Sequence, residues 1–452
     1  MNRRMSDDLT LFGVRRMMEG VIPPTLCTAS LDRMPNVSYL SLAEYVDPLH
    51  IALSFQFFNR SRENVLATKR AALTLDDPYT GAGVVLQLEY LRTETEGPVF
   101  ERLRAKLMGV ASHVGMDQVF HLRGADIYRV LELRRVPGRL ELPAAAPRVD
   151  LATNSRILSE RLANCGELSD LLDTLLDGLG ELLRIDNAML WLFDSAQEVL
   201  TLLASRGYEV GGAGAEISTG DGIVGTAVRE GVAIRVGHMM NMARYARAAR
   251  DRADALGFEP VLKSEIPLPG LKEPRSQLAV PLRARGRVLG ALLVESKHDQ
   301  HFGYDDEDAL MLLCGQFAVA MNLMQPPEPE PPPREPPKAS ASPQAGPAVQ
   351  LRRYSRDNSV FLDDVYLIRG VAGAILWKLV GEYLRSGRRE FSNRELRLAP
   401  ELRLPDVQDN LEVRLLLLQR RLAEQNAPVQ LEKAGRGRVR LNVARPVVME
   451  SD

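Results

Sequence analysis

The sequence has few cysteines, little net charge and no long apolar run. Its three cysteines, Cys27, Cys165 and Cys314, are far apart and lack metal-ligand spacing, which excludes a disulfide framework and indicates a reducing compartment. The net charge of -2 predicts neither a nucleic-acid nor a membrane partner for the chain as a whole. No run approaches the roughly 20 apolar residues of a membrane span, and the start, MNRRMSDDLTLFG, has no apolar signal core. We therefore expect a cytoplasmic protein that does not enter a membrane.

The chain is too long for a single hydrophobic core, and its prolines mark the places where it divides. The 452 residues exceed the size at which one core stops growing, and the 28 prolines are bunched. The densest cluster, PPEPEPPPREPPKASASPQAGP at 326–347, favours an extended linker over helix or sheet. A shorter one, ELPAAAPRVD, precedes residue 151. The sequence thus predicts a multidomain α+β protein with units at 8–140, 151–324 and 350–445.

Short strands dominate residues 8–140 and predict a small barrel. Strands are predicted at 25–30, 37–45, 50–55, 71–75, 84–94 and 125–133, with helices near 62–67 and 99–108. The segments PNVSYLSLAEYVDPLHIALSF, NRSRENVLATKRAALTLDDP and GADIYRVLEL resemble the split-barrel flavoproteins of the pyridoxamine phosphate oxidase and flavin reductase group. The resemblance implies a split β-barrel with FMN as its cofactor.

The same resemblance implies where the flavin would be bound. It places Asn36 and Ser38 beside the isoalloxazine ring, and it places five residues around the phosphate: Ser54, Arg60, Ser61, Arg62 and Asn64. Cations and free amide groups at the start of a helix suit a dianion. The phosphate-binding lysine of the family has no clear counterpart, only arginines one position to either side. The alternative is a basic surface loop on a barrel that has lost its cofactor.

Residues 151–324 begin with helix and continue with strands. A leucine stripe predicts a long helix over 154–183, and apolar runs predict strands at 187–193 and 199–205. The segment EISTGDGIVGTAVREG then contains a Gly-x-Gly-x-x-Gly pattern at Gly220, Gly222 and Gly225. No long buried strand precedes this pattern, and no acidic residue follows where a ribose would be held, so a dinucleotide-binding site is excluded.

Two apolar runs at 278–296 predict a buried hairpin, because Gly286 supplies the positive φ that a tight turn needs. A helix, two strands, the GDGIVG turn, a short helix, a variable loop, QLAVPL, GRVLGALLVES and a closing helix together resemble a GAF domain. That resemblance implies an α/β sandwich whose unknown ligand lies over the sheet, beneath residues 238–271.

The end of this unit also resembles the signature of cyclic-nucleotide GAF domains. Lys297, Phe302 and Asp306 are in place, while Ser296 replaces an asparagine. In that family the lysine and the aspartate form an internal ion pair. We therefore expect these three residues to lock the hairpin to the closing helix, with no contact to a ligand.

The closing helix, from residue 305 to about 324, is apolar almost all round. A helix of this kind needs burial on several sides. In GAF domains the first and last helices often pair with those of a second subunit. We therefore expect a homodimer, which the split barrel also favours, because flavin sites in that family lie between subunits.

Residues 350–445 show three helices followed by a glycine hairpin. A strand is predicted at 360–367 and a helix at 371–384, and Ser392 with Glu395 and Asp409 with Glu412 mark two further helix starts. The pattern resembles a winged helix, as in the effector domains of bacterial response regulators. Residues 349–452 contain 19 Lys and Arg against 14 Asp and Glu, so the local charge is 19 minus 14, or +5.

This resemblance implies a DNA-binding surface. The third helix would read the major groove and the basic hairpin would contact phosphates. The candidate nucleic-acid-binding residues are Arg414, Gln419, Arg420, Arg421, Arg436, Arg438 and Arg440. Yet Val413, Leu416 and Leu417 also lie on the outer half of that helix, and a groove-reading surface is rarely so apolar. The alternative is therefore a helix that packs against another protein, domain or subunit.

These patterns predict a sensor and transcriptional regulator, in which GAF and flavin-like domains sense a small molecule or redox state and control a DNA-binding winged helix. The alternative is an FMN-dependent oxidoreductase regulated by its GAF domain. A third possibility is a scaffold without a ligand. The sequence assigns no catalytic residue and no metal site.

Overall fold

A computed structural model describes most of the chain in separate stretches. They are residues 9–19, 22–40, 42–55, 60–77, 80–113, 122–136, 149–195, 197–219, 221–237, 269–324, 347–402, 411–435 and 437–451. Nearly all of the predicted linker and most of the segment 238–271 lie outside these stretches. No helix within them is long and apolar enough to cross a membrane.

Seven antiparallel strands form the N-terminal sheet. They are β1 Thr25–Ala29, β2 Pro35–Tyr39, β3 Ala43–Asp47, β4 His50–Phe55, β5 Arg70–Asp76, β6 Gly83–Glu94 and β7 Gly124–Arg135, in the order β2-β1-β5-β6-β7-β4-β3. Two helices accompany them, α1 at Arg60–Thr68 and α2 at Pro98–His113. Side chains alternate along a strand, so β5 buries Leu73 and Leu75 in the core that it shares with Leu86 of β6.

The single strand predicted at 37–45 is wrong, because this stretch contains two strands. β2 ends at Tyr39 and β3 begins at Ala43, and the two form opposite edges of the sheet. Alternation shows that both segments are extended, but it does not show which distant strand each one pairs with.

The middle sheet has six strands. They are β8 Asn187–Asp194, β9 Val199–Arg206, β10 Glu216–Ser218, β11 Ile234–Val236, β12 Ser276–Ala284 and β13 Arg287–Ser296, in the order β10-β9-β8-β13-β12-β11. Its helices are α3 Leu151–Ala163, α4 Leu168–Leu183, α5 Gly222–Glu230 and α6 Tyr304–Leu323. Leucines of α4 and α6 share a core with Leu190 and Leu292, whereas Ile223 of α5 shares another with Trp191. Helices thus cover both faces of this sheet.

Of two predictions for the middle unit, one is corrected and the other is confirmed. The long helix predicted at 154–183 is broken into α3 and α4 between Ala163 and Leu168, where Gly166 interrupts the leucine stripe. The predicted β12–β13 hairpin is confirmed, with Arg285 and Gly286 at φ of 51° and 76°. Further along β13, a Cβ at Gly290 would lie 1.9 Å from the carbonyl oxygen of Trp191, so only glycine allows β13 and β8 to approach so closely.

The C-terminal unit contains two sheets and three helices. Strands β14 Val349–Tyr354, β15 Ser359–Leu362, β16 Val365–Ile368 and β20 Val447–Ser451 form one sheet, and β17 Glu390–Ser392, β18 Val429–Lys433 and β19 Arg438–Val443 form the other. The helices are α7 Gly370–Ser386, α8 Asn393–Arg397 and α9 Leu411–Glu424. Ser392 caps α8 by accepting from the Glu395 amide at 3.2 Å, as predicted. Asp409 lies outside the described residues.

Two predictions for this unit need correction. The strand predicted at 360–367 is the hairpin β15–β16, which turns at Asp363 and Asp364, both with positive φ. Strand β20 lies beyond the predicted end at residue 445 and pairs in parallel with β14. A short terminal strand has little apolar pattern of its own, so its partner determines its conformation.

The three units are in direct contact. Helix α2 of the N-terminal unit packs on α5 and β11 of the middle unit, and Ala105 of α2 belongs to the core beneath α5. On the other side, α9 packs against β9 and α4, and one continuous apolar core joins the middle and C-terminal units. Each unit is therefore joined to the next by direct packing of helices and strands.

Candidate functional site

A cluster of small polar side chains lies where β2 meets the start of α1. The Asn36 amide donates to the Ser61 hydroxyl at 2.7 Å, and the Ser38 and Ser61 hydroxyls lie 2.8 Å apart. The structure therefore brings together three of the residues that the flavoprotein resemblance assigned to the flavin. Hydroxyl and amide groups at the start of a helix suit hydrogen bonding to an anion.

The remaining predicted flavin ligands are engaged elsewhere. Arg62 pairs with the Asp126 carboxylate, donates to Thr93 at 3.0 Å and lies 3.5 Å from the centre of the Phe55 ring. The Asn64 amide donates to Thr28 at 3.2 Å, the Ser54 hydroxyl accepts from the Leu42 amide at 3.1 Å, and Arg60 is exposed. The Ser61 hydroxyl at the start of α1 therefore fits a flavin phosphate, whereas Arg62, already neutralised by Asp126, does not fit as its cation.

A buried carboxylate lies at one end of the middle sheet. Glu295 is 4% exposed and accepts three hydrogen bonds, from the Tyr208 hydroxyl at 2.9 Å, the Leu271 amide at 3.0 Å and the Gln277 amide at 2.6 Å. Burial, and then the charge of Glu295, raise the pKa of Tyr208. No described cation pairs with Glu295. The other amide atom of Gln277, its Oε1, is buried and has no hydrogen-bond donor among the described residues.

The same sheet face holds a second buried polar atom without a partner. Trp191 of β8 is 2% exposed, and its indole Nε1 has no acceptor among the described residues. Trp191 and Ala279 share a core with α5, and Gln277 lies two residues before Ala279 on β12, so its side chain points to the same face. Buried polar groups are normally hydrogen-bonded. This face is therefore suited to a ligand that accepts a hydrogen bond from Trp191 Nε1 and donates one to Gln277 Oε1.

A charged contact between the N-terminal and middle units was not predicted from the sequence. Arg235 of β11 has a side chain only 3% exposed, and it pairs with Glu19 at 3.3 Å and with Glu307. It also donates to the Gly303 carbonyl at 3.1 Å. The only sequence signal is an arginine between Ile234 and Val236 in an otherwise apolar strand. Nearby, Lys106 of α2 pairs with Glu44 at 2.6 Å.

A sequence model of the GAF domain family matches residues 167–321, which contain this sheet and most of its helices. This part of the chain is a GAF domain. The match covers β8 to β13 together with α4 and α5, and it ends inside α6. The glycines of the GAF domain's GDGIVG segment have structural roles: Gly222 has a φ of 60°, and a Cβ at Gly225 would lie 2.6 Å from the Ser218 carbonyl oxygen.

Solved structures similar to parts of the chain include a GAF domain and an FMN-binding protein. The GAF domain of an Acinetobacter phosphoenolpyruvate-protein phosphotransferase is 23% identical, with a TM-score of 0.30, over 37% of this chain and 90% of that chain. An FMN-binding protein from Syntrophomonas wolfei is 17% identical, with a TM-score of 0.24, over 28% and 86%. The free methionine-R-sulfoxide reductase of Neisseria meningitidis, solved with its substrate, is 20% identical, with a TM-score of 0.29, over 39% and 92%. No curated protein matches the sequence.

The predicted lock at the end of the GAF domain has different contacts from those that the resemblance implied. Phe302 is buried, at 1% exposure, and the Asp306 carboxylate accepts from the Gly303 amide at 2.7 Å. Lys297 is exposed, and no ion pair joins it to Asp306 within the described stretches. The contacts of Arg235 with Gly303 and Glu307 tie the sheet to α6 instead.

The predicted groove-reading helix, α9, faces the GAF domain. Arg414 pairs with Asp194 at 3.0 Å and Arg420 pairs with Asp173 at 2.6 Å. Arg421 points into its own unit, where it donates to the Leu367 carbonyl at 2.9 Å, and Gln419 is half-buried. The apolar residues on the outer half of the predicted helix are covered, since Val413, Leu416 and Leu417 are 4%, 9% and 2% exposed.

The hairpin β18–β19 carries the remaining predicted DNA contacts. Arg440 pairs with Glu390 at 2.6 Å, and Arg438 is half-buried on β19, beside β17. Arg436 lies outside the described residues. Across the described residues, no group of three or more His, Cys, Asp and Glu side chains is arranged to hold a metal ion.

Proposed function

We propose that the protein is a cytoplasmic sensor in which a ligand of the GAF domain controls the C-terminal unit, with DNA as the target of that unit. The observation that carries the proposal is the direct packing of α9 on β9 and α4 of the GAF domain. A change in the GAF sheet on ligand binding would reach α9 without an intermediate element. Because only differential contacts shift an equilibrium, this interface is where the two states must differ.

The polar end of the GAF sheet supports a small-molecule ligand with a hydrogen-bond donor. Glu295 and the Oε1 of Gln277, which has no donor among the described residues, are both acceptors, and both are buried. An amine or hydroxyl group of a ligand would donate to Gln277 and stabilise the charge of Glu295, which pairs with no cation in the described part of the chain. An unpaired buried acceptor costs about 1–3 kcal/mol, so a ligand that supplies the donor recovers free energy of that order.

The DNA assignment has support from the local charge of +5, which follows from 19 basic against 14 acidic residues in 349–452, and from the basic hairpin that contains Arg438 and Arg440. Phosphate contacts release counterions, so affinity for duplex DNA should fall steeply with salt. The experiment is a gel-shift titration of the full chain with genomic fragments at two salt concentrations. The doubly substituted protein Arg436→Ala plus Arg438→Ala should bind more weakly. Unchanged affinity in that variant would remove the DNA assignment.

A second candidate function is an FMN-dependent oxidoreductase regulated by the GAF domain. The specific observation in its favour is the cluster of Asn36, Ser38 and Ser61 at the start of α1. These groups resemble the family's flavin contacts in type and position. The pairing of Arg62 with Asp126 weakens the phosphate end of such a site, which is why we place this candidate second.

A further inference from the structure

The charges between the GAF domain and the C-terminal unit are arranged in one direction. Every ion pair that joins the described parts of these two units has its carboxylate on the GAF domain and its cation on the C-terminal unit. We call the carboxylates the acidic face, and they are Glu167, Asp173, Asp194 and Glu216. We call their partners the cationic face, and they are Lys433, Arg420, Arg414 and Arg369, in the same order.

The cationic face is contributed by separate elements of the C-terminal unit. Arg414 and Arg420 lie on α9, Arg369 directly precedes α7, and Lys433 ends β18 in the hairpin. Among the described residues, Glu424 is the only carboxylate of the C-terminal unit that contacts the GAF domain. It accepts from the backbone amide of Ala213 at 3.1 Å and does not pair with a GAF cation in that contact. Cations drawn from three elements onto one surface are the arrangement expected of a site for an extended polyanion.

We propose that the acidic face of the GAF domain occupies, within the same chain, the surface with which the C-terminal unit binds the DNA backbone. This inference rests on the proposed function, because it takes DNA as the target. It goes beyond that function by assigning the GAF carboxylates the role of competing with phosphates for the same four cations. The protein is then closed to DNA in the form that the structure shows.

The interface between the GAF domain and the C-terminal unit has a buried apolar centre and ion pairs at its edge. Val413, Leu416 and Leu417 are buried at the centre, so separation of the units exposes apolar surface and the closed form is favoured without a polyanion. At the margin, a small polar pocket is lined by Asp194, Glu216, Arg369 and Arg414. Exposed pairs such as Lys433 with Glu167, at 43% and 46% exposure, are screened and exchange partners readily.

The test neutralises the acidic face in the full chain and leaves the cationic face intact. Asp173→Asn plus Asp194→Asn keeps the shape of both side chains and removes two charges that face α9. The matched control is Glu181→Gln, also on α4, whose carboxylate pairs with Arg161 inside the GAF domain. We measure binding of random-sequence duplex DNA by fluorescence anisotropy, and hydrogen exchange of the α9 amides in the free proteins.

The expected result is that the double variant binds the duplex about tenfold more tightly than the wild type, which is the scale for two partly exposed ion pairs. Its α9 amides should exchange faster, while the Glu181→Gln protein matches the wild type in both measurements. If the wild type binds DNA and the double variant binds it no more tightly, the acidic face does not compete with phosphates and the inference is wrong. If neither protein binds DNA, although α9 of the double variant exchanges faster, the DNA target itself is wrong and the proposed function falls with the inference.

Discussion

The guanidinium group of Arg235 lies 4.2 Å from the centre of the Tyr304 ring, a separation typical of a cation–π contact. Arg235 belongs to the edge strand β11, and Tyr304 is the first residue of α6. Burial is the main reason that the pKa of Tyr304 is raised to about 12. Together with Glu19 and Glu307, this pair fixes the edge of the GAF sheet to its closing helix and to the N-terminal unit.

Removal of the Arg235 side chain should destabilise the fold strongly. Arg235→Ala removes the cation that Glu19 and Glu307 share, and breaking a buried ion pair by removing one partner costs about 3–5 kcal/mol. We expect a loss of that size in the free energy of unfolding, measured by urea denaturation. Arg275→Ala is the control, because its pair with Asp299 is exposed and should contribute at most about 1 kcal/mol. Equal losses in the two variants would contradict this role of Arg235.

Stability should fall at alkaline pH because of Cys314. Burial raises the pKa of this thiol in the folded protein, whereas in the unfolded chain a cysteine titrates near pH 8.5. Above that pH the unfolded chain loses a proton that the folded protein keeps, so the free energy of unfolding decreases by about 1.4 kcal/mol per pH unit. Denaturation between about pH 8.5 and 10, below the ordinary tyrosine range, should show this slope.

Two cysteine variants identify the source of that slope. Cys314→Ala should lose the decrease, although a small cavity lowers its stability at every pH. Cys165→Ala, at a half-buried thiol near Thr174, should retain it. A slope that persists in Cys314→Ala would assign the effect to another group.

FMN should bind at the cluster of Asn36, Ser38 and Ser61 if the N-terminal unit functions as a flavin site. Ser61→Ala removes the hydroxyl that contacts both neighbours, and loss of a hydrogen bond of about 1.4 kcal/mol corresponds to a tenfold higher Kd. Titration of the protein with FMN, followed by flavin fluorescence, measures it. Ser386→Ala, on an exposed turn of α7, should bind as the wild type does. A wild-type protein that remains colourless after incubation with FMN would exclude the oxidoreductase.

Helix α6 should mediate a homodimer through its exposed apolar stripe. Leu312, Val319 and Leu323 lie on one face of the helix and are 73%, 48% and 63% exposed. A stripe of this kind on a helix that is otherwise buried suits a second copy of the chain. Leu312→Glu should shift the mass measured by light scattering from dimer to monomer. Leu398→Glu, at a leucine equally exposed in the C-terminal unit, is the control and should remain dimeric.

Local sequence chemistry predicted turns and caps well. The Arg285-Gly286 turn and the Ser392 cap follow from conformations and hydrogen bonds that involve only neighbouring residues. Longer-range features were less accessible. The division of residues 37–45 into two edge strands, and the addition of β20, depend on partners far away in the chain.

In the candidate sites, too, contacts between residues far apart in the chain were the ones that could not be predicted. Asn36, Ser38 and Ser61 were found through a family resemblance and do meet in space, but the pairing of Arg62 with Asp126 could not be read from positions 64 residues apart. The apolar outer half of α9 was visible in the sequence as Val413, Leu416 and Leu417. That the GAF domain covers this surface could not be predicted, because hydrophobic burial is non-directional and does not identify the partner.

The packing of α2 on α5 makes the first two units thermodynamically reciprocal. Ala105 of α2 is part of the core under α5, so a ligand that displaces α5 would act directly on a helix of the N-terminal unit. If the N-terminal unit binds FMN as proposed, linkage requires that any factor by which such a ligand changes the affinity for FMN is also the factor by which FMN changes the affinity for that ligand. Two ligands that act through this helix contact would then be coupled, so that the response to one depends on whether the other is bound.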